Sequence, residues 1–529
     1  MIRLVRSLEM LLLVLLGCCI FSPLCTAAAP DRPEWSIIIY IATDEKSLAA
    51  NYDPRFSQIL DTPLPANLEL LTEQDTHEPQ GAFRTIRRGS APLERTVLPE
   101  QDSAAPENMA AFLRWADRNA HGRKRLFVVI THSWGWRGII QDYTIPDKPG
   151  TDTMMPLREM ARVMREVRFR PDVLWLDACV MGNVEPIQEF QDTAPYLIVS
   201  QRGMPYSGFP ADRLFGLLGK PGLAPREFVR RIPEPYIRAY SRNGSLITKE
   251  GEFFLTTVAG IDTGKWKSFK KDFRNLVKAL EKTDFPARMA ENPRWVKGLA
   301  DFEDHNADLV ELLTRLPELV KDPKALAIAA KIRKKIGYPE AVAAKSRELC
   351  TLDPGTVKKF ELRIDADGLL PPETALKAIR GLWDEMNQDQ VFPENLHYDV
   401  VKVQSPSGRD REFIVSGEIS AFLRFRPWLP GAQFYVLTTE DGKGDPQRIT
   451  RSRNEDFLLA DRFPKTSFLI SEAHTQGAPF IHGIGILLYP GMKAEMDRAV
   501  DPLTKSTGRD FYRETAWSRA TGWGDLMFR

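Results

Sequence analysis

The chain has 529 residues, 43% of them hydrophobic and 27% charged, which is the composition of a globular protein long enough for more than one domain. A formal net charge of +1 removes any bulk electrostatic case for nucleic acid or an anionic membrane as partner. HExxH, CxxC pairs and GxSxG do not occur, so zinc peptidases, zinc ribbons and serine esterases have no support.

Residues 1–29 read as an export leader. Arg3 and Arg6 precede the apolar run MLLLVLLGCCIF, and Ala27-Ala28-Ala29 supplies a small-residue cleavage pattern. Leu15-Leu16-Gly17-Cys18 also fits a lipobox, which would leave the protein on the membrane through a lipidated Cys18, and a retained anchor is a third option. The expected location is periplasmic or extracellular. No later run is long and apolar enough to span a bilayer. Cleavage after Ala29 would leave Cys179 and Cys350 as the cysteines of the mature chain. An exported protein without a disulfide framework has little structural use for a thiol. A Cys179–Cys350 disulfide would exclude a nucleophilic role for either.

The elements then alternate. WSIIIYIAT (35–43) and LELLTEQ (68–74) read as strands. PENMAAFLRWADRNA opens with Pro106 and places Met109, Phe112, Leu113 and Ala116 on one helical face. RLFVVIT is a strand, PLREMARVMREVR an amphipathic helix from about Pro156, and DVLWL a second strand. YLIVSQ (196–201) and FFLTTVAGID (253–262) are further strands. This pattern predicts an α/β fold with a predominantly parallel sheet flanked by helices. From Lys265 the chain turns helical. From about 355 to 480 it mixes strand runs such as EFIVSG with turns such as DGKGD. GIGILLYP (483–490) reads as a return to a core strand. The expected organisation is a catalytic domain over 30–264, a helical segment over 265–345, a β-rich insertion of unknown role over 346–480, and a strand and helix over 481–529 that rejoin the catalytic domain. Asp365-Ala366-Asp367-Gly368 echoes a calcium loop but lacks its remaining ligands and reads as a turn.

Two of these strands stop at reactive side chains. RLFVVITHSWGW delivers His132, and DVLWLDACVMGNVE delivers Cys179. Chemistry in α/β folds collects at the carboxyl ends of parallel strands. An imidazole and a thiol brought to one rim are the minimum equipment of a cysteine-nucleophile hydrolase. Cys179 precedes a helix start, where the helix dipole favours the thiolate. His132 would protonate the leaving amine and then activate water. Backbone N–H groups of Ser133 and Cys179 would form an oxyanion hole. The bland alternative is a small buried cysteine and a structural histidine.

The two segments resemble the clostripain family of cysteine endopeptidases. The family's histidine motif, D-H-G-x-G-W, is matched in part by Thr131-His132-Ser133-Trp134-Gly135-Trp136. Its cysteine motif, D-A-C-x-M-G-x-x-E, is matched in full from Asp177 to Glu185. The opening strand, YLIVSQRGMPYSGFP, GIGILLYP and FYRETAWSRATGW resemble other family segments. The resemblance implies a caspase–gingipain-like fold, a His132/Cys179 dyad, and a substrate cleft lined by Asp177, Ser200 and Gln201. It implies cleavage after Arg or Lys of a protein or peptide substrate, with Asp177 in the specificity pocket. It allows calcium dependence by analogy, but no ligand set is visible; no other cofactor is required. Two departures stand out: Thr131 in place of Asp, and Ser133 in place of a Gly. They favour the rival reading, an inactive binding protein on a peptidase fold. A transferase using the same dyad is a third reading. Gln201 and Arg202 stand where relatives are often acidic, and Arg202 is expected to turn outward to solvent. Trp134 and Trp136 read as packing residues. Glu185 reads as a helix-orienting residue, and His305 and His482 as structural. Lys148 is followed by Pro149, which argues against self-cleavage there.

Overall fold

The computed structural model describes residues 32–43, 56–75, 82–143, 153–205, 209–241, 244–246, 256–292, 306–340, 462–474, 482–488 and 507–528, with the backbone of short strands between 351 and 458. The leader, Lys148, His305 and Cys350 lie outside the described residues.

The first half of the chain holds β1 (Trp35–Ala42), β2 (Leu68–Asp75), β3 (Phe83–Arg88), β4 (Glu94–Val97) and β5 (Lys124–Thr131). A short hairpin follows, β6 (Ile139–Asp142) and β7 (Thr153–Met155), then β8 (Val173–Asp177), β9 (Tyr196–Val199), β10 (Thr257–Asp262) and β11 (Asn306–Asp308). Among the helices of this part are α1 (Pro106–Asn119), α2 (Leu157–Glu166), α3 (Val184–Phe190), α4 (Ala211–Leu218), α5 (Pro225–Arg231), α6 (Pro233–Tyr240), α7 (Thr263–Leu280), α8 (Leu309–Leu319) and α9 (Pro323–Ile336).

Five strands, in the order β2-β1-β5-β8-β9, run parallel through the centre of a ten-stranded sheet. β3 and β4 extend one edge and β10 the other, all antiparallel to their neighbours. The central strands are buried on both faces, which is why they appear in the sequence as unbroken apolar runs. Alternate residues feed two cores. Tyr40, Phe127, Val129, Leu174 and Leu176 pack with α1, α2, α3 and α7. Trp35, Ile37, Val128, Ile130 and Trp175 pack with α4, α5 and α6. The expected face of α1 is buried as anticipated: Met109, Phe112, Leu113 and Ala116 all point to the core.

The expected β-rich segment contains β12 (Thr351–Leu352), β13 (Lys359–Ala366), β14 (Asp399–Gln404), β15 (Asp410–Glu418), β16 (Leu423–Arg424), β17 (Ala432–Val436) and β18 (Gln447–Thr450). Five of them form an antiparallel sheet in the order β14-β15-β13-β17-β18. Asp365 and Ala366 of the calcium-loop echo end β13. The chain rejoins the main sheet through β19 (Phe457–Leu458) and β20 (Leu469–His474), with β20 antiparallel to β10. β21 (Gly485–Leu487), within the run expected as a core strand, pairs with β11 in a separate ribbon. The chain closes with α10 (Gly508–Arg513), α11 (Ala516–Thr521) and α12 (Trp523–Met527), whose Tyr512, Trp517 and Trp523 join the core that holds α7. Among the described residues, no helix is long and apolar enough to cross a membrane.

Candidate active site

β5 and β8 lie side by side, and Ile130 pairs with Asp177. His132 and Cys179 each stand two residues beyond that pair, at the carboxyl rim of the sheet. Cys179 is a half-buried thiol packed against the core that holds Trp175. The Met204 N–H donates to its Sγ over 3.3 Å.

The turn after Cys179 is tightly determined. Val180 adopts φ 52°, a left-handed conformation that a β-branched residue holds only when its surroundings impose it. Its N–H donates to Arg202 O at 3.0 Å, and Asn183 Nδ2 donates to its carbonyl at 2.9 Å. Gly182 N–H donates to Ser200 O, and the backbones approach so closely that a Cβ on Gly182 would sit 2.5 Å from Gln201 N. This explains the glycine of the D-A-C-x-M-G motif: no side chain fits there. α3 begins immediately afterwards. Its Glu185 is buried and accepts hydrogen bonds from Leu487 N–H and Tyr512 Oη, which tie the chain's last segments to the cysteine turn. Burial pushes the Glu185 carboxyl up to about 7, opposed by the Tyr512 hydrogen bond.

The histidine loop is built differently. His132 O accepts from Ile140 N–H, and Trp134 N–H donates to Gly138 O, both at 3.0 Å. These bonds flank the Ser133–Ile139 bridge, so Ser133's own N–H points away from the hairpin. Ser133 is absent from the positive-φ residues; that conformation falls on Gly135, at φ 60°. Serine therefore replaces the family glycine here without backbone strain. Its Oγ donates to the carbonyl of Cys179, joining the two loops directly. Trp136 is buried against Tyr512 and Phe511, as expected for packing. Trp134, also expected to pack, is instead 47% exposed, with its indole N–H held by Gln141 Oε1 at 2.9 Å. Thr131 is buried and its Oγ1 has no hydrogen-bond partner among the described residues, so it does not orient His132 through a hydrogen bond to any of them.

Residues 66–319, which contain both loops, match the model of the Clostripain family. The chain belongs to the clostripain family. It is a cysteine peptidase, a hydrolase acting on peptide bonds. No curated protein matches it. Among solved structures, it is similar to a secreted C11 cysteine protease from Bacteroides thetaiotaomicron in complex with an irreversible peptide inhibitor. That similarity has 17% identity and a TM-score of 0.42, covering 57% of this chain and 82% of that one. It is also similar to an inactive zymogen C11 protease from Parabacteroides distasonis, with 16% identity, a TM-score of 0.42 and the same coverages.

In this clostripain-family chain the residues expected to line the cleft are largely turned inward. Asp177 is 5% exposed, and Tyr236 Oη on α6 donates to its Oδ1 at 3.0 Å. Burial pushes the Asp177 carboxyl up to about 7, partly offset by that hydrogen bond. Ser200 is wholly buried, with its Oγ 3.1 Å from Thr257 Oγ1 and 3.0 Å from Arg202 O. Gln201 is also wholly buried and donates from Nε2 to Asp308 Oδ2 at 3.0 Å. Arg202 is 3% exposed, which corrects the expectation that it turns outward. The segment 200–204 is the wall on which the cysteine turn hangs, and a wall residue spends its polar atoms inward. His482, expected to be structural, is linked to that wall through Asp308, which also accepts from Gln201. Its Nδ1 lies 2.7 Å from Asp308 Oδ1, and Asp308 caps α8. No local sequence signal marks the Tyr236–Asp177 or Asp308–His482 pairs, because their partners come from distant segments. Among the described residues, no group of three or more His, Cys, Asp or Glu side chains is placed to hold a metal ion.

Proposed function

We propose that this peptidase is an exported endopeptidase that uses Cys179 as nucleophile and His132 as general acid and base. The observation that carries this reading is the pairing of β5 with β8, which gives the two side chains the same position beyond one register pair. In the reaction the sulfur attacks the peptide carbonyl, and the negative charge moves to the carbonyl oxygen. In this reading the Ser133 and Cys179 N–H groups receive it. The C–N bond then breaks as His132 gives its proton to the leaving amine. Water, deprotonated by His132, next attacks the thioester, and the C–S bond breaks to release the acid and regenerate the thiol. Ser133's ordinary backbone conformation removes one of the two sequence arguments for an inactive protein. Export rests on Arg3, Arg6, the apolar run and Ala27-Ala28-Ala29. The intact mass of protein from the native host checks it: mature protein starting at Met1 would overturn it.

For specificity, we infer a preference for Arg or Lys before the scissile bond through Asp177, with Ser200 and Gln201 shaping the cleft wall rather than contacting substrate by their side chains. The ionised carboxylate is the form that pairs with a cation. Asp177 reaches that form only as pH rises through about 7. A positional-scanning peptide library is therefore expected to show Arg or Lys preference that is stronger at pH 8 than at pH 6, and weakened in Asp177→Asn. Preference for acidic or small apolar residues would defeat the cationic reading and leave Asp177 as a structural partner of Tyr236.

A further inference from the structure

We propose that the Ser133 hydroxyl is a positioning group that locks the histidine loop and the cysteine loop into one register. The inference rests on the Cys179/His132 reading and assigns a task to an atom that reading does not use. Ser133 Oγ donates to Cys179 O. The peptide bearing that carbonyl also bears the Val180 N–H, which is bonded to Arg202 O at 3.0 Å. One peptide plane is thus gripped at both ends, by the histidine loop on one side and by the cleft wall on the other. The residue just past it, Val180, is in a left-handed conformation that is unfavourable for a β-branched residue and relaxes unless it is held.

The loops also approach each other beside this polar bond. A Cβ built on Gly135 would lie 3.3 Å from Val180 Cγ2, so the two loops come close at that point without a side chain between them. Contact alone does not set orientation, because a methyl group slides where a hydrogen bond does not. The hydroxyl therefore fixes the rotation of the Cys179 peptide, while the Met204 N–H fixes the sulfur. Within Ser133 the two tasks fall on separate atoms: the N–H, read as the oxyanion donor, faces away from the hairpin, and the Oγ faces the cysteine turn. A glycine, as in the family motif, keeps the first and lacks the second. The departure from the motif is an added bond.

The test uses the full chain with Ser133→Ala and Ser133→Thr. Displacement of a nucleophile relative to its base by about 1 Å can cost about 10²-fold in rate. Ser133→Ala is expected to lower kcat per titrated active site by about tenfold or more, with KM within about twofold of wild type, and Ser133→Thr to recover most of it. Alkylation of Cys179 by iodoacetamide, followed from pH 5 to 9, supplies a readout that needs no substrate. Its rate profile is expected to change in Ser133→Ala and to return in Ser133→Thr. A purely structural residue would lower the fraction of folded sites and leave both per-site quantities unmoved. Wild-type kcat per site and a wild-type alkylation profile in Ser133→Ala, or a threonine variant no better than alanine, would overturn the lock. An alkylation profile that depends on Ser133 in a protein that hydrolyses no peptide would keep the lock and overturn the peptidase dyad.

Discussion

The turn after β8 and the loop after β5 hold their reactive side chains with different shares of backbone and side-chain contact. The cysteine turn is held by backbone: a glycine pressed against Gln201, a valine forced to positive φ, and amides bonded to Ser200 and Arg202. The histidine loop has two backbone bonds, Ile140 N–H to His132 O and Trp134 N–H to Gly138 O, and adds side-chain anchors: the Ser133 hydroxyl, the Trp134 indole on Gln141, and Trp136 on Tyr512. A site fixed by backbone contacts tolerates no change of residue, whereas a site fixed by side chains can exchange one anchor for another. That difference accounts for the retained glycine of the cysteine motif at Gly182 and for a serine, with a bond of its own, where the histidine motif has a glycine.

The comparison breaks if the two glycines respond alike. Gly182→Ala is expected to destabilise by about 3 kcal/mol or to prevent folding, because its Cβ meets backbone at 2.5 Å. Gly135→Ala is expected to cost only about 1–2 kcal/mol, from its φ of 60° and a Val180 methyl that can give way. Denaturant midpoints of the two variants measure this. Equal losses would show that the histidine loop is as backbone-bound as the cysteine turn.

Glu185 sharpens the same contrast at its far end. Its folded-state carboxyl is raised to about 7 from an ordinary 4.5, so the unfolded chain ionises first as pH rises. The native state then binds more protons than the unfolded one. Stability that is fully present below about 4.5 is therefore lost as pH climbs to about 7. Glu185→Gln keeps an acceptor for Tyr512 and Leu487 and removes the titration. Its stability relative to wild type is expected to improve between pH 4.5 and 7.5, by up to about 3 kcal/mol. A difference that stays constant across that range would mean that Glu185 is not raised.

What the sequence made visible follows from the same physics. β1, β5 and β8 were legible because strands buried on both faces are written as apolar runs, and α1 because its buried residues recur at helical spacing. β3 and β4 were not, since FRTIRR and ERTV lie at an edge and keep polar, partly exposed side chains. The insertion showed its β content but not its exit. That β20 pairs with β10, some two hundred residues earlier, leaves no local mark. At the site, His132 and Cys179 were visible as abrupt ends of apolar runs. The inward turn of Ser200, Gln201 and Arg202 was not, because it depends on Thr257 and Asp308 from other segments. Ser133 was visible only as a missing glycine; its bond to Cys179 needed the fold.

The most direct test of the central claim is covalent labelling by a peptidyl electrophile, read by intact mass and peptide mapping in wild type and Cys179→Ala. Wild type is expected to gain one adduct, on the peptide that contains Cys179. The variant is expected to gain none and to lose peptide hydrolysis by several orders of magnitude while keeping its fold. An adduct on another residue, or hydrolysis retained in folded Cys179→Ala, would contradict the assignment of Cys179 as the nucleophile.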